Sequence, residues 1–217
     1  MSIDIATNAQ EIFQAAYENR YTWDENFPGY TAELSFKQSD STYNAQITVN
    51  SEFLVEVDGI SEQNIKELVT KHIADIATHR RRSAFGKAHG KNSFAIGKEI
   101  AGGTLEILVS GEAMGNNYQI TGKVITQVNR QMGGLVFTIN TEAVVQTEEG
   151  YLPSRYQAIC RDATTQSVKA TRYHIDSYEK LGKYYIPSHQ SISTLDGSGQ
   201  KTESTFQFSN IQLLETK

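Results

Sequence analysis

The sequence predicts a mainly β protein of the α+β kind. We expect a curled antiparallel sheet of about eleven strands forming a half-open barrel, with an N-terminal helix and a second helix as its lid. Three observations predict it. Most of the chain alternates apolar and polar residues with period two. Glycine-bearing turns separate these runs at short intervals. Only two stretches, both in the first half, carry the three-and-four spacing of an amphipathic helix.

The first helix is predicted from Thr7-Asn8-Ala9-Gln10, which has the form of a capping box, in which the hydroxyl and the amide satisfy free N–H groups at a helix start. Ala9, Ile12, Phe13, Ala16 and Tyr17 then form one apolar stripe to about residue 20. In the second helix Ser61 is the expected N-cap and Ile60 staples onto Ile65. Ile65, Leu68, Val69, His72, Ile73, Ile76 and Ala77 make its buried face. It should end near His79-Arg80-Arg81-Arg82, where positive charge meets the negative end of the helix dipole.

The strands follow from parity, because successive side chains point to opposite faces. Tyr43, Ala45, Ile47 and Val49 face one way, as do Phe53, Val55 and Val57 in the next run. Leu105, Ile107 and Val109 follow, then one long run with Tyr118, Ile120, Val124 and Val128 on one parity. Leu135, Phe137, Ile139, Ala143 and Val145 share a side after Gly133-Gly134. Segments 151–161, 168–178, 183–195 and 202–214 complete the series. Turns are expected at Asp58-Gly59, Gly102-Gly103, Glu149-Gly150, Leu181-Gly182 and Asp196-Gly197. No Pro/Ser-rich linker or repeat interrupts the chain, so residues 1–217 are expected to form a single domain.

At 217 residues the chain is long enough for one sizeable core. A net charge of -5 argues against non-specific nucleic-acid binding. Cys160 is the sole cysteine, so an intramolecular disulfide is excluded. The start lacks the basic and apolar blocks of a secretory signal, and no apolar run exceeds three residues. A cytoplasmic protein is expected.

Constellations that could carry chemistry are sparse. Cys160 has His174 or His189 as a candidate base, but it shares its parity with Tyr156 and Ala158, which suits a small buried residue. His174 and Asp176 place two candidate metal ligands on one strand face, and two do not make a zinc site. His72 on an apolar helix face suits a satisfied core histidine. Gly197-Ser198-Gly199 lacks the strand-to-helix context of a phosphate loop, and Glu148-Glu149 sit beside a turn glycine. No catalytic residue, metal site or cofactor is therefore expected, and enzyme activity is the less favoured class.

Two segments stand out. Residues 79–91 hold Arg80, Arg81, Arg82, Lys87 and Lys91 and no acid. They either dock the chain at anionic headgroups or an acidic protein partner, or cap a helix end and continue as a solvated loop. Residues 17–30 hold Tyr17, Tyr21, Trp23, Phe27 and Tyr30. They form either the rim of an apolar cavity or a plug packing helix against sheet.

The run from Tyr17 to Tyr30, with Trp23-Asp24 and Phe27-Pro28-Gly29-Tyr30, resembles the signature of a family of uncharacterised proteins found in cyanobacteria and plastids. The order of elements is similar, more distantly, to the LolA/LolB lipoprotein-carrier superfamily. Tyr185-Ile186-Pro187-Ser188 and Thr205-Phe206-Gln207-Phe208-Ser209-Asn210-Ile211 resemble its closing strands. That resemblance implies a half-open barrel with helices over an apolar cavity. The lid-locking arginine of those carriers has no matched position, with Arg20 and Arg155 candidates by charge alone.

The expected function is non-catalytic binding or carrying of a hydrophobic small molecule, such as a lipid, isoprenoid or pigment. Leu135, Phe137, Ile139, Phe206 and Phe208 are the inward candidates, with Trp23, Phe27 and Tyr30 at the rim. The alternative is a structural or assembly factor, its barrel filled by its own side chains. It would bind a protein through residues 17–30 or the basic 79–91 segment.

Overall fold

The computed structural model describes residues 5–111 and 117–215. In chain order the elements are α1 (Ile5–Glu18), β1 (Gly29–Gln38), β2 (Ser41–Asn50), β3 (Val55–Asp58), α2 (Gln63–Arg80), α3 (Phe85–His89), β4 (Ser93–Ile100), β5 (Thr104–Ser110), β6 (Asn117–Thr121), β7 (Val124–Met132), β8 (Leu135–Thr147), β9 (Gly150–Asp162), β10 (Val168–Leu181), β11 (Tyr184–Asp196) and β12 (Lys201–Leu213).

The strands form one twelve-stranded sheet in the order β3-β2-β1-β12-β11-β10-β9-β8-β7-β6-β5-β4, and the described pairings are antiparallel. β3 and β4 are its two edges, so the sheet does not close into a barrel. The run expected as one strand over 118–128 is a hairpin. Gly122, at φ 58°, turns the chain between β6 and β7, which raises the count from about eleven to twelve.

Helix ends also differ from expectation. α1 is already under way at Ile5, so Thr7 lies inside it, and it stops at Glu18 rather than at residue 20. α2 takes Glu62 as N-cap in extended conformation with no side-chain cap bond, one residue beyond Ser61. The Glu62 carboxylate instead accepts a 3.4 Å bond from the Tyr43 hydroxyl. No described helix is long and apolar enough to cross a membrane.

The chain divides into two compact units. The first comprises the chain up to Tyr21, Ser83–His174 and Thr194–Lys201. In its core Phe13 of α1 meets Phe94 and Tyr118 at ring-centroid distances of 5.1 and 4.7 Å, with Ala9, Ala16, Phe85, Ile107, Val109, Ile120 and Ile125 around them. Beyond α1 the chain is clasped to β9. The Tyr21 N–H donates to the Tyr151 carbonyl, and the Tyr151 N–H to that of Asn19, both at 2.9 Å. Gly150, at φ 136°, makes this approach possible, because a Cβ there would lie 2.2 Å from the Asn19 oxygen.

The second unit comprises Thr22–Arg82, Ile175–Ser193 and the chain from Thr202 on. Ile65, Val69, Ile73 and Ala77 of α2 are buried, as are Leu34, Phe36, Ile47, Val49, Ile186 and Phe206 of the sheet. His72 stacks on Phe206 at 4.1 Å and its Nε2 hydrogen-bonds Gln190 Oε1 at 2.9 Å, so it is a satisfied core histidine. Leu68, expected on the buried face, is 39% exposed. Here the buried face of the helix and the buried side chains of the sheet form the core of the unit.

Candidate functional site

Within the first unit the sheet has two unlike faces, and register assigns each residue to one of them, because directly opposed residues of antiparallel strands share a face. Tyr118 and Val128 pack against the α1 core. From Val128 the same face runs on to Ile139 and then to Ala158. The next rows are Arg130, Phe137, Cys160 and Met132, Leu135, Asp162. Tyr156 continues the face onto β10 by stacking on the His174 ring at 4.3 Å and 9°.

α1 makes its main sheet contacts with β4 and β7. The rows on β8 and β9 lie farther along: Leu135, Phe137, Ile139, Ala158 and Cys160 are all only half-buried. These apolar side chains are therefore flush with a packed core yet retain solvent contact. This arrangement suits an apolar partner, since covering it removes further apolar area from water.

The opposite face carries a network of hydrogen bonds among its own side chains, beside half-buried Val136 and Ile159. Gln119 Nε2 donates to Gln127 Oε1 (3.0 Å), Gln127 Nε2 to Asn140 Oδ1 (2.8 Å), and Asn140 Nδ2 to Gln157 Oε1 (3.2 Å). A parallel line joins Asn129 Nδ2 to Asn117 Oδ1 (2.6 Å) and the Thr138 hydroxyl to Asn129 Oδ1 (2.7 Å). An amide ladder of this kind satisfies polar groups laterally and offers little to an apolar ligand.

Charge lies on the α1 side of the unit. The Arg20 guanidinium sits 4.0 Å over the Tyr17 ring and its Nε donates to the Tyr17 carbonyl at 3.0 Å. Burial, with a smaller contribution from Arg20, holds the His89 imidazole below its ordinary pKa. Burial raises the Tyr118 phenol, against the opposing pull of Arg20 and Arg130. Both arginines thus act on the margin of the core next to the half-buried rows.

The structure brings together only part of the expected ligand set. Leu135, Phe137 and Ile139 share the face just described. Trp23, Phe27, Tyr30, Phe206 and Phe208 belong to the other unit, where none is more than 3% exposed. Trp23 stacks on Phe27 at 4.2 Å and donates its indole N–H to the Tyr185 carbonyl at 3.0 Å. Burial pushes the Tyr30 phenol far above its ordinary range. Trp23, Phe27 and Tyr30 form one aromatic cluster, and Phe206 packs between Phe36 and His72.

The basic run is divided too. Arg80 Nη2 donates to the Tyr178 hydroxyl at 3.0 Å and Arg82 Nε to Thr22 Oγ1 at 3.1 Å. Arg81 is exposed, with its guanidinium 5.4 Å from the Phe53 ring. Lys87 lies exposed on α3, and Lys91 just after it. Cys160, the candidate nucleophile, faces Phe137; His174 is engaged with Tyr156, and Asp176 belongs to the other unit.

Sequence analysis overlooked Arg130. The signal was there: Arg130 is a cation between Val128 and Met132 on an otherwise apolar parity.

Fold and site together define an antiparallel-sheet protein with one helix-covered apolar face and a half-covered continuation of it. The chain belongs to the family described as "Protein of unknown function (DUF3386)", whose model matches residues 5–214. No curated protein matches it in sequence. Among solved structures it is similar to a LolA superfamily protein of Nitrosomonas europaea, at 8% identity and a TM-score of 0.32 over 96% of this chain and 94% of that one. It is also similar to a DUF1329 family protein of Desulfovibrio piger, at 8% identity and 0.30 over 97% and 93%. A third similarity is to the Pseudomonas aeruginosa MucA/MucB complex structure, at 11% identity and 0.23 over 96% and 100%. At these TM-scores the likenesses bear no functional conclusion.

Proposed function

We propose that the protein binds a hydrophobic small molecule without transforming it, on the α1-side face of β8 and β9. The observation that carries this is the half-buried apolar stretch of Leu135, Phe137, Ile139 and Ala158, continuous with a filled core. A ligand that removes roughly 200 Å² of apolar surface from water there gains about 5 kcal/mol before the costs of association. In this proposal Trp23, Phe27, Tyr30, Phe206 and Phe208 take no part in ligand contact and form core of the second unit. Arg81, Lys87 and Lys91 are exposed members of the basic run that would meet an anionic surface.

The assembly-factor alternative draws less support, because the aromatic groups of 23–30 and two of the three consecutive arginines are spent on internal contacts. The test is native mass spectrometry on gently purified protein, followed by solvent extraction and titration with a fluorescent lipid. A stoichiometric lipid, isoprenoid or pigment is expected. Protein that arrives empty and binds none of these in titration overturns the proposal.

A further inference from the structure

We infer that α3 is a strap held on α1 by a neutral His89, and that protonation of this imidazole releases it. The contacts concerned lie on α1, α3 and β4 rather than on β8 and β9, so the strap is independent of the proposed function.

α3 has five residues, too few for a helix that is stable without packing. The backbone bonds that shape it run inside the segment, from the Lys87 and Ala88 N–H groups to the Ala84 carbonyl and from the Gly90 N–H to the Gly86 carbonyl. Side chains tie it to α1. Phe85 is buried, its ring 6.2 Å from that of Phe13 and 5.9 Å from that of Tyr17. The half-buried His89 ring stands nearly perpendicular to the same two rings at 4.9 and 4.8 Å. The Tyr17 hydroxyl adds a 3.1 Å bond to the Ser83 carbonyl. Gly86, Lys87, Ala88 and Gly90 are exposed.

The surroundings favour an uncharged imidazole. Asn92 Nδ2, which can only donate, lies 3.0 Å from His89 Nδ1, so Nδ1 accepts and the ring proton sits on Nε2. Protonation of Nδ1 removes that acceptor and sets two donors against each other. The charges nearby are positive: Arg20, 4.0 Å over the Tyr17 ring, Lys87 on α3 itself and Lys91 two residues past His89. The carboxylates of α1, Glu11 and Glu18, are exposed and lie off the stripe that carries Phe13 and Tyr17. β4 presents Phe94, with Lys98 and Glu99 four and five positions farther on. Tyr118 of β6 lies against Phe13, and burial raises its phenol, which stays neutral.

A histidine cation gains from an open aromatic face, but Arg20 already occupies that of Tyr17. Burial, with Arg20 adding to it, holds the imidazole below the ordinary 6.5. With the docked-state pKa depressed, docking carries no penalty above 6.5 and weakens as pH falls through the docked-state value.

The test is hydrogen exchange by mass spectrometry on the full chain at about pH 7.5 and about pH 5, corrected for the intrinsic pH dependence of exchange, with an NMR titration of the His89 ring. Residues 85–92 should lose protection at the lower pH while α1 keeps its own. His89→Phe, which retains an aromatic ring without a titrating group, should stay protected at both. His89→Lys, charged at both, should be unprotected at both. The His89 titration midpoint should lie below 6.5. Wild-type protection that does not change with pH overturns the inference, as does a midpoint at or above 6.5 or a protected His89→Lys. If His89→Phe loses protection as the wild type does, another group is responsible and the assignment to His89 falls. If α1 exchanges together with 85–92, the unit unfolds as a whole and there is no strap.

Discussion

Replacement of Phe137 by alanine separates binding from stability. Phe137 lies opposite Arg130 and Cys160 and is half-buried, whereas Phe206 is 1% exposed between Phe36 and His72. Truncating a fully buried phenylalanine costs about 3–5 kcal/mol through lost transfer energy and the cavity left behind. At Phe137 the void opens to solvent, so only part of the transfer energy is lost and about 1–2 kcal/mol is expected. Ligand binding suffers differently. If the ring gives up roughly 80 Å² of contact with a bound chain, the loss is about 2 kcal/mol, or near thirty-fold in Kd. Urea denaturation and probe titration on Phe137→Ala and Phe206→Ala measure both quantities. Phe137→Ala should bind poorly and fold well. If it is as destabilised as Phe206→Ala, or if its probe affinity matches wild type, the half-covered face is ordinary core and the argument fails.

Gly150→Ala should cost about 3 kcal/mol in urea denaturation. It sets a Cβ 2.2 Å from the Asn19 oxygen at φ 136° and disturbs the two clasp bonds between Asn19–Tyr21 and Tyr151. A loss below 1 kcal/mol would show that the clasp yields freely. Trp23→Phe keeps the stack on Phe27 but leaves the Tyr185 carbonyl without its indole donor, and a loss of about 1–2 kcal/mol is expected in thermal melts. Asp24 should make stability pH-dependent. Burial pushes its carboxyl up, but Lys183 (2.5 Å), the Tyr184 hydroxyl (2.9 Å) and the Asn26 N–H outweigh this and hold its pKa below the ordinary 3.8. With the folded pKa depressed, its contribution is present above the ordinary value and lost as pH falls through the folded one. The stability gap between wild type and Asp24→Asn, seen in melts at neutral pH, should therefore shrink below pH 3.8. A gap unchanged down to acid pH would refute the pairing.

The two units answer the same problem differently. In the second, α2 buries Ile65, Val69, Ile73 and Ala77, and His72 on the same helix stacks on Phe206 and bonds Gln190. In the first, α1 packs chiefly on β4 and β7, and the apolar rows continue onto β8 and β9 beyond those main contacts. Evenly patterned strands thus give a buried face in one place and a half-buried one in the other.

Local chemistry made much of this legible from residue order. The stripe of Ile65, Val69, Ile73 and Ala77 marked the buried side of α2, and period-two alternation gave the strand faces. The turns at Gly102-Gly103, Leu181-Gly182 and Asp196-Gly197 carried their own signal, because turn chemistry depends on neighbours a few positions away. Tertiary structure alone decided what lies across from each face. Phe137 and Phe206 sit in similar alternating runs, yet one is half-buried and the other sealed, since burial is set by the element packed above and not by the strand itself. The same holds for the arginines: Arg80 and Arg82 read as a surface run but find Tyr178 and Thr22, while Arg130 stands out on its apolar parity but is set against Phe137 only by register. Alternation says which side chains share a face; only long-range packing determines whether that face is closed.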